Sequence, residues 1–246
     1  MRLLVLLLAL TAVAPARASN DFMWAPRGAR EQDWHIEAGR WSGTGGDLVS
    51  EDAGDNVLSS FTCPDFDEGT LTASITPERR QGPGGWAAAG IALFQDMYNY
   101  WRLALVESPD GQRYGELVEM LDGVWQAQSL PATFLQPQRG EQEPWEYRRT
   151  YELVISISKG SIRGQILDAA AGKTIFSSSY PMDGDVEVVA SGCMALSAVG
   201  TKARFKEMDA KGKEMTLPPR VLRGAAVVTG LPGTTPAVAD RMAQVV

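Results

Sequence analysis

Ten segments of the chain alternate apolar and polar residues with the two-residue period of a strand that buries one face. They are Val57 to Phe61, Gly69 to Ile75, Ala88 to Phe94, Tyr100 to Val106, Gly115 to Leu121, Tyr151 to Ser158, Ile162 to Leu167, Thr174 to Ser179, Gly192 to Val199 and Ala203 to Met208. In "YELVISIS", Tyr151, Leu153, Ile155 and Ile157 make one face, while Glu152, Ser156 and Ser158 make most of the other. Turn signals fall between these segments: "SPDG" at 108 to 111, "LDG" at 121 to 123, "SKG" at 158 to 160, "AAG" at 170 to 172 and "MDG" at 182 to 184. No amphipathic helical pattern of 12 or more residues precedes the C-terminal tail. Many short strands joined by regular turns predict an all-β sandwich or barrel.

The ends of the chain read differently. Met-Arg, the apolar run "LLVLLLALTAVA" and the small-residue "ARA" at 16 to 18 predict a secretory signal peptide over 1–18. Its apolar core falls short of the ~20 residues that span a bilayer, and no later segment is apolar enough to form a membrane span. The expectation is therefore a secreted or periplasmic protein beginning near Ser19, with one domain over 19–210. After about Ala210, Pro and Gly punctuation without aromatics predicts a C-terminal tail or linker over 211–246, with a short helix from Pro236 as an alternative for its end. The whole chain carries a net charge of -7; loss of Arg2 and Arg17 leaves 21 basic against 30 acidic residues, or -9. Such a surface disfavours nucleic acid and anionic membranes as partners.

The chemistry is restricted by what is scarce. His35 is the sole histidine, so any Ser-His-Asp triad would have to use it, and two cysteines cannot build a structural zinc site. Cys63 and Cys193 are compatible with one disulfide in an oxidising compartment or with two buried thiols. No cofactor is expected, although Asp65, Asp67 and Glu68 could offer calcium hard oxygen ligands; a solvated acidic turn explains the same residues.

The order of the segments "DWHIEAGRWSGTGGDLVS", "NVLSSF", "FDEGTLTASITP", "GGWAAAGIALFQDMYNYWRLAL", "YELVISISKGSIRGQI" and "SGCMALSAVGTKARFKEM" resembles the concanavalin A-like lectin/glucanase jelly roll. More narrowly, it resembles the LamG-like and 3-keto-disaccharide hydrolase-type domains of exported bacterial proteins, over about residues 22 to 209. The resemblance implies a jelly-roll β-sandwich of two antiparallel sheets and a polysaccharide or oligosaccharide partner. It leaves three functions open: a glycan-binding module acting through a concave face, a carbohydrate-active hydrolase, and a cell-surface interaction domain.

Within that frame the strand period divides "FQDMYNYWRLAL" by face. Ile91, Leu93, Trp101, Leu103 and Leu105 are expected in the core; Tyr100, Arg102 and Ala104 face away from it. Tyr100 and Arg102 are candidates to stack on and hydrogen-bond a sugar. Trp86 after a Gly-rich loop, Trp145 in the long polar stretch 130 to 149, and Gln95 at the end of its strand complete the candidate ligand-binding set. Gln95 stands where domains of the 3-keto-disaccharide hydrolase type commonly carry a charge. The E-x-D-x-x-E strand motif of the glucanases is absent, and Glu116 and Glu119, three apart, must point to opposite faces of a strand.

Overall fold

The computed structural model describes residues 19–24, 34–36, 39–44, 47–51, 57–61, 66–126, 138–182 and 187–215. Among them are sixteen strands and no α-helix. In chain order these are β1 (Ser19–Trp24), β2 (Trp34–Ile36), β3 (Trp41–Thr44), β4 (Asp47–Ser50), β5 (Val57–Phe61), β6 (Phe66–Arg80), β7 (Ala87–Asp96) and β8 (Asn99–Glu107). The second half holds β9 (Arg113–Leu121), β10 (Val124–Trp125), β11 (Gln138–Gln142), β12 (Tyr151–Ser158), β13 (Ser161–Asp168), β14 (Lys173–Pro181), β15 (Cys193–Val199) and β16 (Thr201–Met215). No described helix is long and apolar enough to cross a membrane.

The strands form two antiparallel sheets. One runs β11-β14-β13-β12-β6-β16-β4-β3, with β1 added along β16; the other runs β10-β9-β8-β7-β15-β5-β2. This is the jelly-roll sandwich that the resemblance implies, one of the two all-β architectures, sandwich or barrel, that the strand pattern predicts. All ten expected strands form, and the core lies where their alternation places it. From the larger sheet it takes Leu71, Ile75, Tyr151, Leu153, Ile155, Ile162, Ile166 and Phe205, and from the smaller one Ile91, Leu93, Trp101, Leu103, Leu105 and Leu117. Each large apolar side chain so buried stabilises the fold by about 1.5–3 kcal/mol.

The turns are built by the residues the sequence flags. Asp122 and Gly123 both have positive φ, 50° and 76°, the two-residue hairpin geometry that matches strand twist, and they join β9 to β10. Asp96 Oδ1 accepts the Tyr98 amide at 2.8 Å and the Asn99 side-chain amide at 3.0 Å, closing the β7–β8 turn. Asp168 accepts the amides of Ala170 and Ala171 in the turn before β14.

Two features depart from simple alternation. Phe205 and Met208 are three residues apart yet both lie in the core. The register of β16 slips between Lys206 and Asp209, where Glu207 takes a φ of 50° and accepts the Ser74 hydroxyl at 2.7 Å. This bulge returns the strand to the correct face. The second departure concerns the domain's end. Ala210 is a core residue in mid-strand, and β16 continues to Met215 in register with β1 (Ser19↔Met215), so strand pairing runs past the boundary expected at 210.

Gly90 pairs with Ala104 in the centre of the smaller sheet, and a Cβ placed on it would lie 2.8 Å from the Ala104 Cα and closer still to the Leu103 carbonyl. Both obstacles are backbone, which cannot turn aside. Gly90→Ala is therefore expected to cost about 2–3 kcal/mol through overpacking, read as a lower urea midpoint with an unchanged slope; an unaltered midpoint would refute the close approach.

Candidate functional site

The alternation of β8 sends Tyr100 and Arg102 to the face of the smaller sheet that points away from the core, as expected. That face is not open. Tyr100 is 2% exposed and Arg102 8%. Tyr100 packs with Ala92, Phe94, Met120 and Ala195, flanked by Met97, Trp125 and Cys193. The Trp125 ring meets Tyr100 edge-on at 5.6 Å and lies under the Arg102 guanidinium at 4.3 Å. Burial raises the Tyr100 hydroxyl above its ordinary pKa, with Arg102 partly opposing. The expectation that these two side chains present themselves to a ligand is thus corrected: a cover that alternation cannot reveal lies over them.

The other candidates are dispersed. Trp145 is 2% exposed and belongs to the core; its indole N–H donates to the Val106 carbonyl at 2.9 Å, so it closes one end of the sandwich rather than offering a platform. Beside it the buried Glu107 accepts Arg80 at 2.9 Å and the Tyr147 hydroxyl at 2.5 Å, with Arg113 at 3.4 Å. Burial would raise this carboxyl, but the Tyr147 and Arg80 hydrogen bonds hold it below its ordinary value. Trp86 is exposed, following a loop in which Gly82 and Gly84 have positive φ. Gln95 is also exposed, but it sits at the far end of β7, nine residues from Trp86 and about 30 Å away along an extended strand. Cys63 and Asp65 lie outside the described residues, as does the side chain of His35, whose backbone pairs with Ser60. Glu68 is ion-paired with Lys213 at 2.6 Å, and among the described residues no group of three or more His, Cys, Asp or Glu side chains could hold a metal.

What the fold does bring together is a cleft of about 330 Å³ on one side of the sandwich. Tyr114 to Leu117 of β9 line it from the smaller sheet, and Gly140 to Gln142 of β11 with Phe176, Ser177, Ser178 and Tyr180 of β14 line it from the larger. Its size lies at the small end of ligand pockets. Two glycines shape it. A Cβ on Gly115 would run into the Phe176 ring, and one on Gly140 into the Ser177 hydroxyl. The Tyr180 hydroxyl donates to the Leu117 carbonyl at 3.1 Å and ties the two sheets across the cleft.

The cleft carries two carboxylates from different sheets. Glu116 is reached by Arg102 Nη2 at 3.4 Å, and Arg102 Nε is buried without a hydrogen-bond partner. Exposed Glu141 accepts the Ser177 hydroxyl at 2.5 Å, and this bond holds the carboxyl below its ordinary value. Around them stand hydroxyls and an amide from Tyr114, Gln142, Ser177, Ser178 and Tyr180, with the Phe176 ring as the apolar wall. Such a set can accept and donate hydrogen bonds to a polyol while covering one apolar face of a ring. The β11 contribution escaped the sequence reading because "QRGEQ" has no apolar alternation, as suits an edge strand paired on one side.

Glu119 takes the opposite side of β9, as its spacing from Glu116 requires. It is 4% exposed in the core, opposite Trp101, and accepts the Val189 amide at 2.6 Å. Trp101 Nε1 donates to the carbonyl of the same Val189 at 3.0 Å. Burial pushes the Glu119 carboxyl up to about 7, with the Val189 N–H partly opposing.

No family model matches the chain, and no curated protein sequence matches it. Solved structures do. The carbohydrate-binding module CBM66 from Bacillus subtilis superposes with a TM-score of 0.52 at 15% identity, over 74% of this chain and 95% of that one. The CBM2 module of the evolved Dit of Lactobacillus casei BL23 phage J-1 gives 0.53 at 9% identity, over 82% and 99%. A Bacillus subtilis protein of unknown function with a galectin-like fold gives 0.52 at 14%, over 81% and 99%. These likenesses show the fold, a jelly-roll β-sandwich of the kind found in carbohydrate-binding modules and a galectin-like protein; the LamG-like and 3-keto-disaccharide hydrolase resemblance has no matching family model behind it.

Ser177→Ala removes the first cause of the depressed Glu141 titration. The Glu141 carboxyl of that variant is expected to titrate closer to the ordinary carboxylate range, followed by its carboxyl ¹³C shift. A midpoint identical to wild type would mean that the Ser177–Glu141 bond does not form in solution.

Proposed function

We propose that the protein is an exported carbohydrate-binding module that holds part of a glycan in the cleft between β9, β11 and β14. The observation that carries this reading is the pairing of the Phe176 wall with a rim of carboxylates, hydroxyls and an amide drawn from both sheets. Sugar rings ask for that combination, because their C–H faces are apolar while their edges are polyols. A fold shared with modules described as carbohydrate-binding supports the reading, and the signal-like N-terminus supports export from a mature start near Ser19. Arg102 and Tyr100 act behind the cleft wall: Tyr100 packs on Trp125, the Trp125 ring lies against the guanidinium, and the guanidinium pairs with Glu116 at the cleft wall. Exposed Trp86 is a separate surface ring, outside the cleft lining.

Two carboxylates in one cleft also raise hydrolysis as a reading. A glycosidase of the common kind needs one carboxyl kept protonated near neutrality as general acid. Here Glu141 is held below its ordinary value and Glu116 is ion-paired with Arg102, which favours binding over bond cleavage.

The test is a glycan-array and polysaccharide pull-down screen on the protein, run beside Glu141→Ala/Gln142→Ala, both exposed on β11. The expected result is specific binding that weakens at least tenfold, about 1.4 kcal/mol, in the variant at an unchanged melting temperature. Binding that survives the double substitution would move the site elsewhere, absence of binding to any glycan would end the carbohydrate reading, and product formation from the bound glycan would replace a module with an enzyme.

A further inference from the structure

The clamp on Val189 has no part in the glycan reading, yet it is the most specific polar arrangement in the core. Both backbone polar groups of one residue, in the connection between β14 and β15, are held by core-facing side chains of adjacent strands: the amide by Glu119 of β9, the carbonyl by Trp101 of β8. Val189 itself is 1% exposed, so water does not share these bonds. A chain segment without strand pairing is thereby fastened to the core through two side chains.

One of the two fasteners can change charge. Carboxylates buried elsewhere in this protein have cationic partners, as Glu107 does in Arg80 and Arg113. Among the described residues Glu119 has none: burial and the Val189 N–H are the influences on it. On the elements packed around it, Arg102, Tyr100 and Glu116 leave β8 and β9 on the opposite face. Leu117 and Leu121 flank it on β9. Tyr180 of β14 has its hydroxyl on the Leu117 carbonyl, and Glu187, before Val189, is exposed. The neutral carboxyl suits this pocket and still accepts the Val189 amide; the ionised form leaves an uncompensated charge in the core, which opening the connection would return to water.

The same residues reach the cleft. The Trp101 ring packs against Tyr180 at 5.0 Å, and Tyr180 both lines the cleft and ties β14 to β9. We infer that Glu119 is a proton-controlled latch: protonated, it holds the 187–191 connection closed against Trp101, and ionised, it releases the connection and loosens the Trp101–Tyr180 wall of the cleft. The consequence for a ligand rests on the glycan reading of the cleft; the latch itself does not.

Direction and size follow from proton linkage. The closed form binds the Glu119 proton more tightly than an open form with an ordinary carboxyl, so the favourable contribution of the latch is complete below about pH 4.5 and is lost as pH rises through about 7. With those two midpoints, the opening equilibrium of 187–191 increases about tenfold between pH 6 and pH 8.5 and then levels off.

The test uses the full chain without ligand. Amide exchange of 187–191, corrected for intrinsic exchange, should lose about tenfold protection over that interval, while the centres of β12 and β6 do not change. Glu119→Gln, which keeps an acceptor but cannot ionise, should stay protected throughout. Because that variant could fold poorly, the Glu119 carboxyl ¹³C titration in the wild type is the second measurement, with an expected midpoint near 7 that the Val189 amide shift follows. A Glu119 midpoint near 4.5, a Val189 amide indifferent to it, or equal pH dependence in the Gln variant would overturn the latch. None of these outcomes depends on whether a glycan binds.

Discussion

The two-residue period of β8 and β9 is the constraint on which the rest of this structure turns. Once Trp101, Leu103 and Leu105 are committed to the space between the sheets, Tyr100 and Arg102 have no choice of side. The register Trp101↔Glu119 and Ala104↔Glu116 then sends one carboxylate of β9 into the core and the other to the face that carries Arg102. A slip of one residue would exchange every one of these positions, placing Arg102 among leucines and Trp101 in the surface cluster. Cleft, clamp and buried arginine are therefore consequences of one register.

Three of the four charged side chains buried among the described residues illustrate how differently a sandwich can meet the cost of burying a charge. Glu107 is surrounded by two arginines and a tyrosine hydroxyl, an arrangement that closes one end of the core together with Trp145. Arg102 is compensated by a single carboxylate at 3.4 Å and by the face of Trp125, and it keeps one buried N–H unpaired. Among the described residues Glu119 receives one peptide N–H and no cation. Fully paired groups rigidify, whereas under-compensated ones hold the chain in a state that a proton or a ligand can alter. In this fold the two under-compensated groups sit on β9, which lines the cleft from the smaller sheet, and on its neighbour β8.

Much of the architecture was legible in the sequence because strand alternation reports directly on which face is buried. The ten alternating segments became strands, Asp-Gly at 122 and 123 became a hairpin, and Glu116 and Glu119 parted to opposite faces. What was not legible depended on contacts between distant segments. Alternation places Tyr100 and Arg102 on a face but says nothing about what lies over it; Trp125, twenty-odd residues on, supplies part of the cover. Trp145 in a polar stretch looked like a rim residue until its N–H found Val106 and its ring the core. Polar β11, lacking apolar positions, is defined among the described residues by its irregular pairing with β14. The extent of β16 was hidden for a related reason: the bulge at Glu207 breaks the period where the strand still continues.

The position of the cleft follows from how the two sheets end. Among the described residues β9 pairs with β10 only at Met120 and Leu121, so the stretch from Tyr114 to Leu117 has no strand on its outer side. β11 is likewise paired on one side, to β14. Two incompletely paired strands, one from each sheet, leave backbone and side-chain polar groups facing a common gap that neither sheet can close by adding another hydrogen-bonded neighbour. At Gly115 and Gly140 the backbone lies against Phe176 and Ser177, so neither position has room for a side chain. The gap is bridged by the bond from the Tyr180 hydroxyl to the Leu117 carbonyl, and Tyr180 packs against Trp101. The polar gap and the core clamp meet at that tyrosine, so a change in the clamp is transmitted to the gap by direct contact.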